Sequence, residues 1–270
     1  MWVSHRGRVD TATVGTAVPS ASRAFRIGSV TKTLRHLPGV VPAGGRITIR
    51  ELLDHRSGLT NFIDHDDWLR RAERSAATRP IDTLRFATSR PLEFPPRARR
   101  TYSNTNYVAL GLVIERVTRD TRPSARAAHH RALALDAARL PRTRHVAGLS
   151  DGGANPNVAW AAGGLVFDAR DIGTFFGAPL SGRVPSPSWL RELQRVVAVP
   201  GDPDYALGIA PARLSCGTAW GNDGVILDYG AGVEAADHGS RVAVVSLRGA
   251  VSPAPDETAT LLLCPRRVRG

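Results

Sequence analysis

The sequence has almost no lysine. Among 36 basic residues Lys32 is the single lysine, and all the others are arginine. Arginine stays protonated in a protein, whereas a lysine amine can be tuned to give up its proton. A position that keeps lysine against such a bias points to chemistry that arginine cannot do. Aromatic residues are also few, 6% of 270, although the formal charge is +12. The arginines are scattered, apart from short clusters at Arg97, Arg99, Arg100 and at Arg266, Arg267, Arg269. With little to stack on bases and no nucleic-acid motif, the charge argues for a compositional bias rather than a nucleic-acid partner. A basic surface would still favour an anionic cell envelope. No run of about 18 apolar residues is present, which excludes a membrane-spanning helix. The opening MWVSHRGRVD lacks the apolar core of a secretory signal, so a chain starting at Met1 is expected in the cytoplasm. The eight histidines form no paired spacing with the two cysteines, so neither a metal site nor a cofactor is expected. Cys216 and Cys264 are either two buried thiols or a disulfide, and a disulfide implies an oxidising compartment.

Residues 1–14 alternate around Arg6-Gly7-Arg8 like a short hairpin. Helices are expected from Ser29, ended early by Pro38-Gly39, over 47–59 with Gly58 as its stop, near 82–88, and over 105–118. In the last of these Tyr107, Leu110, Ile114 and Val117 share a face. Residues 120–145 read as helix. Asp168 is placed to cap a helix holding Ile172, Phe175 and Phe176. Ser186-Pro187 should start another, with Leu190, Leu193 and Val197 at helical spacing. Strands are expected at 205–210, 218–227, 229–234 and 241–247, with Asp237-His238-Gly239 as a hairpin turn, and a closing helix at 256–264. Strands at both ends with helices between predict an α+β fold. Its antiparallel sheet would be flanked by helices and built from both termini.

Ser29 and Lys32 are one helical turn apart, so hydroxyl and amine fall on nearly the same face. A serine at a helix N-terminus has backbone N–H groups nearby to hold an oxyanion, and the amine can help remove its proton. The surrounding FRIGSVTKT (25–33) resembles the nucleophile segment of class C β-lactamases and D-alanyl-D-alanine carboxypeptidases, the penicillin-recognising serine hydrolases. Four other segments are similar to that family in the same order: LLDHRSGL (52–59), YSNTNYVALGLVIERVT (102–118), AWAAGGLVFDARDIGTFF (159–176) and WGNDGVILDYG (220–230). The resemblance implies a β-lactamase/transpeptidase-like fold. A sheet-plus-helix part would come from 1–33 and 158–270, with a helical domain inserted at 34–157. It implies a hydrolase acting through an acyl-enzyme on D-alanyl-D-alanine-type peptides, β-lactams or small esters. Ser29 would attack while Lys32 and Tyr102 move protons. Asn104 would bond the substrate amide, Gly224 would leave room for the substrate, and the Val225 N–H would be the second oxyanion donor. Asn222 stands where a lysine or histidine is usual and cannot supply charge to a substrate carboxylate. His55 and Ser57 are expected to be structural hydrogen-bonders.

The resemblance also brings the final helix against the strand near Cys216, which favours the disulfide. It implies a secreted or envelope location, a small-molecule or peptidoglycan-peptide substrate, and a monomer. Leu37-Pro38-Gly39-Val40 follows Lys32 almost at once, matching what the family carries some two dozen residues later. The expectation is therefore a copy lacking a central helix, with a catalytically inactive, truncated penicillin-binding-like remnant as the alternative function.

Overall fold

The structure is a computed structural model. It describes residues 2–5, 8–12, 25–26, 47–75, 77–118, 133–144, 155–182, 187–249 and 254–264. The N-terminal residues form the expected hairpin, β1 (Trp2–His5) with β2 (Arg8–Thr11). A short strand β3 (Phe25–Arg26) pairs with β4 (Val166–Phe167) in a separate two-stranded ribbon, Phe25 opposite Phe167. Near the C-terminus β5 (Ala210–Leu214), β6 (Gly217–Ile226), β7 (Tyr229–Ala236) and β8 (Arg241–Arg248) run as a meander. The hairpin joins them through β1 against β8, giving a six-stranded antiparallel sheet of order β2-β1-β8-β7-β6-β5.

The helices are α1 (Ile49–Leu53), α2 (Asp66–Arg74), α3 (Pro80–Thr88), α4 (Asn104–Thr118), α5 (Pro156–Gly163), α6 (Ala169–Leu180), α7 (Pro187–Leu193) and α8 (Pro255–Leu263). Their starts follow from local chemistry. Thr48 and Glu51 form a capping box on α1, with the Thr48 N–H donating to Glu51 Oε2 at 2.7 Å. Asp168 accepts from the Asp171 N–H at 2.8 Å to cap α6, as its sequence position predicts. On α2, Asp66 and Asp67 lie in the first turn and Arg71 and Arg74 in the last, matching the helix dipole.

Strand β7 is buried along its whole length because the sheet is covered on both sides. Ala231, Val233 and Ala235 pack with Val242, Val244 and the α6 residues Ile172, Phe175 and Phe176 in one cluster. Ala236, Ala243 and Val245 pack with Ala259 and Leu263 of α8 in the other. The approach of α8 is close: a Cβ at Gly232 would overlap the Pro255 carbonyl. Glu234 shares this second face, buried, and its Oε2 has no hydrogen-bond partner among the described residues. Burial, with the Asp256 and Asp223 carboxylates nearby, pushes its pKa to about 8. The folded protein therefore keeps the proton that the unfolded chain releases above the ordinary glutamate value of 4.5, so stability falls as pH rises from about 4.5 to about 8. The slope from this group is at most about 1.4 kcal/mol per pH unit. Glu234→Gln is expected to flatten that dependence and to raise the melting temperature at pH 8 more than at pH 5. Equal shifts at both values in calorimetry would contradict it.

Four segments differ from the sequence expectation. The helix at 47–59 stops at Leu53, because His55 takes a left-handed conformation (φ 60°) and the Arg56 N–H returns to the Glu51 carbonyl. That is a Schellman ending with histidine in the usual glycine place. Helix α7 ends at Leu193 rather than reaching Val197. The carbonyls of Val197 and Pro203 are instead taken by the buried Arg100 guanidinium, at 2.6 and 2.7 Å. Residues 205–209 form a tight turn through Gly208 (φ 82°), and the strand begins at Ala210. Residues 134–144 are not helical. Arg139 exchanges both backbone hydrogen bonds with Val166, and Asp171 accepts from the Ala137 and Ala138 N–H groups. The disulfide alternative holds, with Cys216 bonded to Cys264. The helix expected from Ser29, the truncation expected after Lys32 and residues 120–132 lie outside the described residues.

Candidate active site

The loop after α1 and the first turn of α4 form one hydrogen-bonded unit. The Ser103 N–H donates to His55 Nδ1 at 3.1 Å, and Asn106 Nδ2 lies 3.2 Å from the same nitrogen. Nδ1 therefore carries no proton, and the ring is the Nε2–H tautomer. The Thr101 N–H donates to the His55 carbonyl. Ser57 Oγ donates to Asn106 Oδ1, and Thr105 Oγ1 donates to the Thr60 carbonyl. Asn61 Oδ1 accepts from both the backbone N–H and the side-chain amide of Asn104, at 2.9 and 3.1 Å. Behind the unit, a Cβ at Gly58 (φ 77°) would overlap the Phe94 carbonyl oxygen, so the turn needs glycine twice over.

Three tyrosines surround His55. Tyr102 stacks on it with ring centroids 4.5 Å apart, and Tyr107 and Tyr205 pack at 5.4 and 5.1 Å. Burial raises the pKa of both the Tyr107 and the Tyr205 phenols, so they stay protonated. Tyr107 spends its proton on the Leu53 carbonyl at 2.7 Å. Of the three, Tyr102 is the exposed one, at 41%, and it faces a cleft of about 520 Å³.

Across that cleft runs the end of β6. Strand β5 pairs with β6 only as far as Ala210 opposite Gly221, so 222–226 keep β7 on one side and present the other edge to the cleft. The Asp223 N–H bonds the Asn222 side-chain oxygen, at 3.0 Å, and so points to this open edge. Alternation along a strand aims the Val225 N–H the same way. Asp223, Gly224 and Val225 line the cleft opposite Tyr102 and Asn104, and Ile63, Leu69, Ile226 and Leu227 make it apolar.

The structure thus brings together Tyr102, Asn104, Gly224 and Val225. Asn222 sits behind them, buried, with its amide nitrogen 3.0 Å from the Gly208 carbonyl and 3.5 Å from the Tyr205 hydroxyl. It does not line the cleft. Ser29 and Lys32 lie outside the described residues; β3 ends at Arg26, three residues before Ser29. Sequence reasoning missed Asn61, Tyr205 and Asp223. The signal for Asn61 was its place two residues after the LLDHRSGL segment, and for Asp223 its place inside the NDG triplet. Among the described residues no cluster of His, Cys, Asp or Glu could hold a metal ion.

Because His55 supports Tyr102 from below and fixes the backbone on both sides of it, His55→Ala is expected to cost about 3 kcal/mol in stability. Urea denaturation checks this. His55→Asn, which tolerates the left-handed conformation but has no ring, should recover only part of it.

The comparisons with known proteins agree with this geometry. A family model described as Beta-lactamase matches residues 34–262, a span that begins just after Lys32. A D-stereospecific amidohydrolase from Streptomyces sp. is similar in structure, with a TM-score of 0.79 and 25% identity over 96% of this chain and 91% of that one. A penicillin binding protein from Bacillus halodurans has a TM-score of 0.79 at 19% identity, covering 97% of this chain and 94% of that one. D-amino acid amidase from Ochrobactrum anthropi SV3 has a TM-score of 0.73 at 20% identity, covering 94% and 87%. The antiparallel sheet with flanking helices is the β-lactamase/transpeptidase-like fold, and with the family match running over most of its length the chain belongs to the beta-lactamase family of serine hydrolases.

Proposed function

We propose that the protein hydrolyses small amides or esters through an acyl-enzyme formed on Ser29. The observation that carries this reading is the open edge of β6 facing Tyr102 and Asn104 across an apolar cleft. An acyl group lying along that edge would have the Val225 N–H directed at its carbonyl oxygen, with the Ser29 N–H as second donor. Ser29 Oγ attacks the carbonyl carbon. Its proton passes by way of Lys32 and Tyr102 to the leaving nitrogen or oxygen, and water then releases the acyl group. Asn104, held by Asn61, orients the substrate's amide. The amidohydrolase and amidase among the similar structures support amide substrates for this chain. The same reading divides the chain into a sheet-bearing part, 1–33 with 158–270, and a helical part, 34–157. It also places the protein in an oxidising compartment, where the Cys216–Cys264 disulfide would persist.

The test is incubation with a fluorophosphonate probe and an intact-mass measurement, with Ser29→Ala as control. One adduct, lost in the control, is expected. A second reading, a non-catalytic scaffold, is favoured by one observation: the family match starts at residue 34 and leaves out Ser29 and Lys32. No adduct on protein that melts cooperatively would establish that reading instead.

A further inference from the structure

A second cleft, also of about 520 Å³, adjoins the first. The turn Phe62–Asp64 serves both, with Phe62 and Ile63 lining the first and Asp64 the second. The hydrolase reading makes no use of it. Its wall is a stack of two rings, Trp68 of α2 on Phe86 of α3, with centroids 4.6 Å apart and planes 13° apart. Each ring carries a guanidinium. Arg90 Cζ lies 3.7 Å from the Phe86 centroid, and Arg71 Cζ lies 5.1 Å from that of Trp68. Trp68 is buried, and its indole N–H makes no hydrogen bond among the described residues.

The second cleft is lined by three arginines and three aspartates, so its formal charges balance. The pairing, however, is uneven. Arg70 gathers two of the carboxylates, with Asp67 at 2.6 Å and Asp66 at 3.6 Å. Asp64 accepts from the Asn61 amide at 3.1 Å. The Arg90 side chain donates to the Phe86 carbonyl at 3.2 Å, and neither Arg71 nor Arg90 has a carboxylate partner among the described residues. The two arginines on the ring stack are therefore the ones whose charge is unmet. Stacking holds a guanidinium by its face and leaves its N–H edge to bond elsewhere, so less freedom is lost when an anion arrives. A carboxylate or phosphate group takes such an edge with two parallel hydrogen bonds. The rings offer apolar surface to whatever carries it. We propose that this second cleft binds small ligands in which an oxyanion, a carboxylate or a phosphate ester, is carried on an apolar group, with Arg71 and Arg90 as the anion-binding residues. The site stands apart from the acyl-enzyme chemistry, so its test needs no turnover.

The probes are benzoate, phenyl phosphate and the uncharged benzyl alcohol. Their binding would be followed on the indole N–H signals of ¹⁵N-labelled protein, with Trp68→Phe identifying the Trp68 signal. At least one of the two anions is expected to move that signal and to bind roughly tenfold more tightly than benzyl alcohol, the order of one charged hydrogen bond. The tighter of the two names the oxyanion that the cleft prefers. The double variant Arg71→Gln, Arg90→Gln should lose the preference over benzyl alcohol. The double variant Arg74→Gln, Arg116→Gln should keep it, since both residues are exposed and outside the cleft lining, and the change in net charge is the same. The other indole signals show whether each variant is folded. The proposal is overturned if neither anion moves the Trp68 signal, if benzyl alcohol binds as tightly as both anions, if the preference survives in Arg71→Gln, Arg90→Gln, or if the control pair loses it equally. Fluorophosphonate labelling of the same preparations keeps the two readings apart. Anion binding without labelling supports the second cleft and counts against the hydrolase reading, whereas labelling without anion binding removes only the second cleft.

Discussion

Lys32→Arg is expected to slow fluorophosphonate labelling of Ser29 by about 10²- to 10⁴-fold, the range that a positioned acid or base contributes. The substitution keeps the positive charge and much of the length of the side chain, so a purely electrostatic or packing role for Lys32 would survive it. It removes one property, the ability to give up a proton near neutral pH. The melting temperature should stay within a degree or two of the parent, which separates lost chemistry from lost fold. Full labelling in the variant would mean that Ser29 is activated by another group, and that the lone lysine among 36 basic residues is an accident of composition.

The second large effect concerns stability. The disulfide joins Cys216, in the turn between β5 and β6, to Cys264, directly after α8. It spans 48 residues and encloses β6, β7, β8 and α8. Closing a loop of that length in the unfolded chain corresponds to about 4 kcal/mol. Replacing both cysteines by serine is therefore expected to lower the melting temperature by about 10 °C. Calorimetry of the double variant, and of the parent with and without reductant, checks this. The Arg241 guanidinium donates to the Leu263 carbonyl at 2.7 Å and so holds the same corner without the bridge. The variant should consequently still fold, and an unchanged melting temperature would show that this contact suffices.

Much of the sheet was legible because its signals are local. Alternation within 218–227 and 241–247, and turn residues at Asp237-His238-Gly239, are properties of a few neighbouring residues. All three turn residues have positive φ in the structure. The cap at Asp168 and the helix start at Pro187 were legible for the same reason. The misreadings have a common origin in distant partners. Val197 has helical spacing, but Arg100 takes its carbonyl from almost a hundred residues away. Residues 134–144 have helix-forming composition, yet Val166 and Asp171 claim their backbone. At the site, Tyr102 and Asn104 could be found as motif members, while the reason for their placement could not. That reason is the bonding of His55, Asn61 and Asn106 across about fifty residues, which no window along the sequence contains. Asp223 went unread as a cleft residue because its meaning depends on β5 pairing with β6 only as far as Ala210 opposite Gly221.

The strand order sets a timetable for folding on the ribosome. Strand β1 has its central-sheet partner in β8, with Trp2 opposite Val244, so the first strand to be made waits for about 240 further residues before it can dock. At synthesis rates of about 5–20 residues per second that delay is roughly 12–50 s. For that interval the N-terminal hairpin has an unpaired edge, open to pairing with another chain until the C-terminal meander has formed.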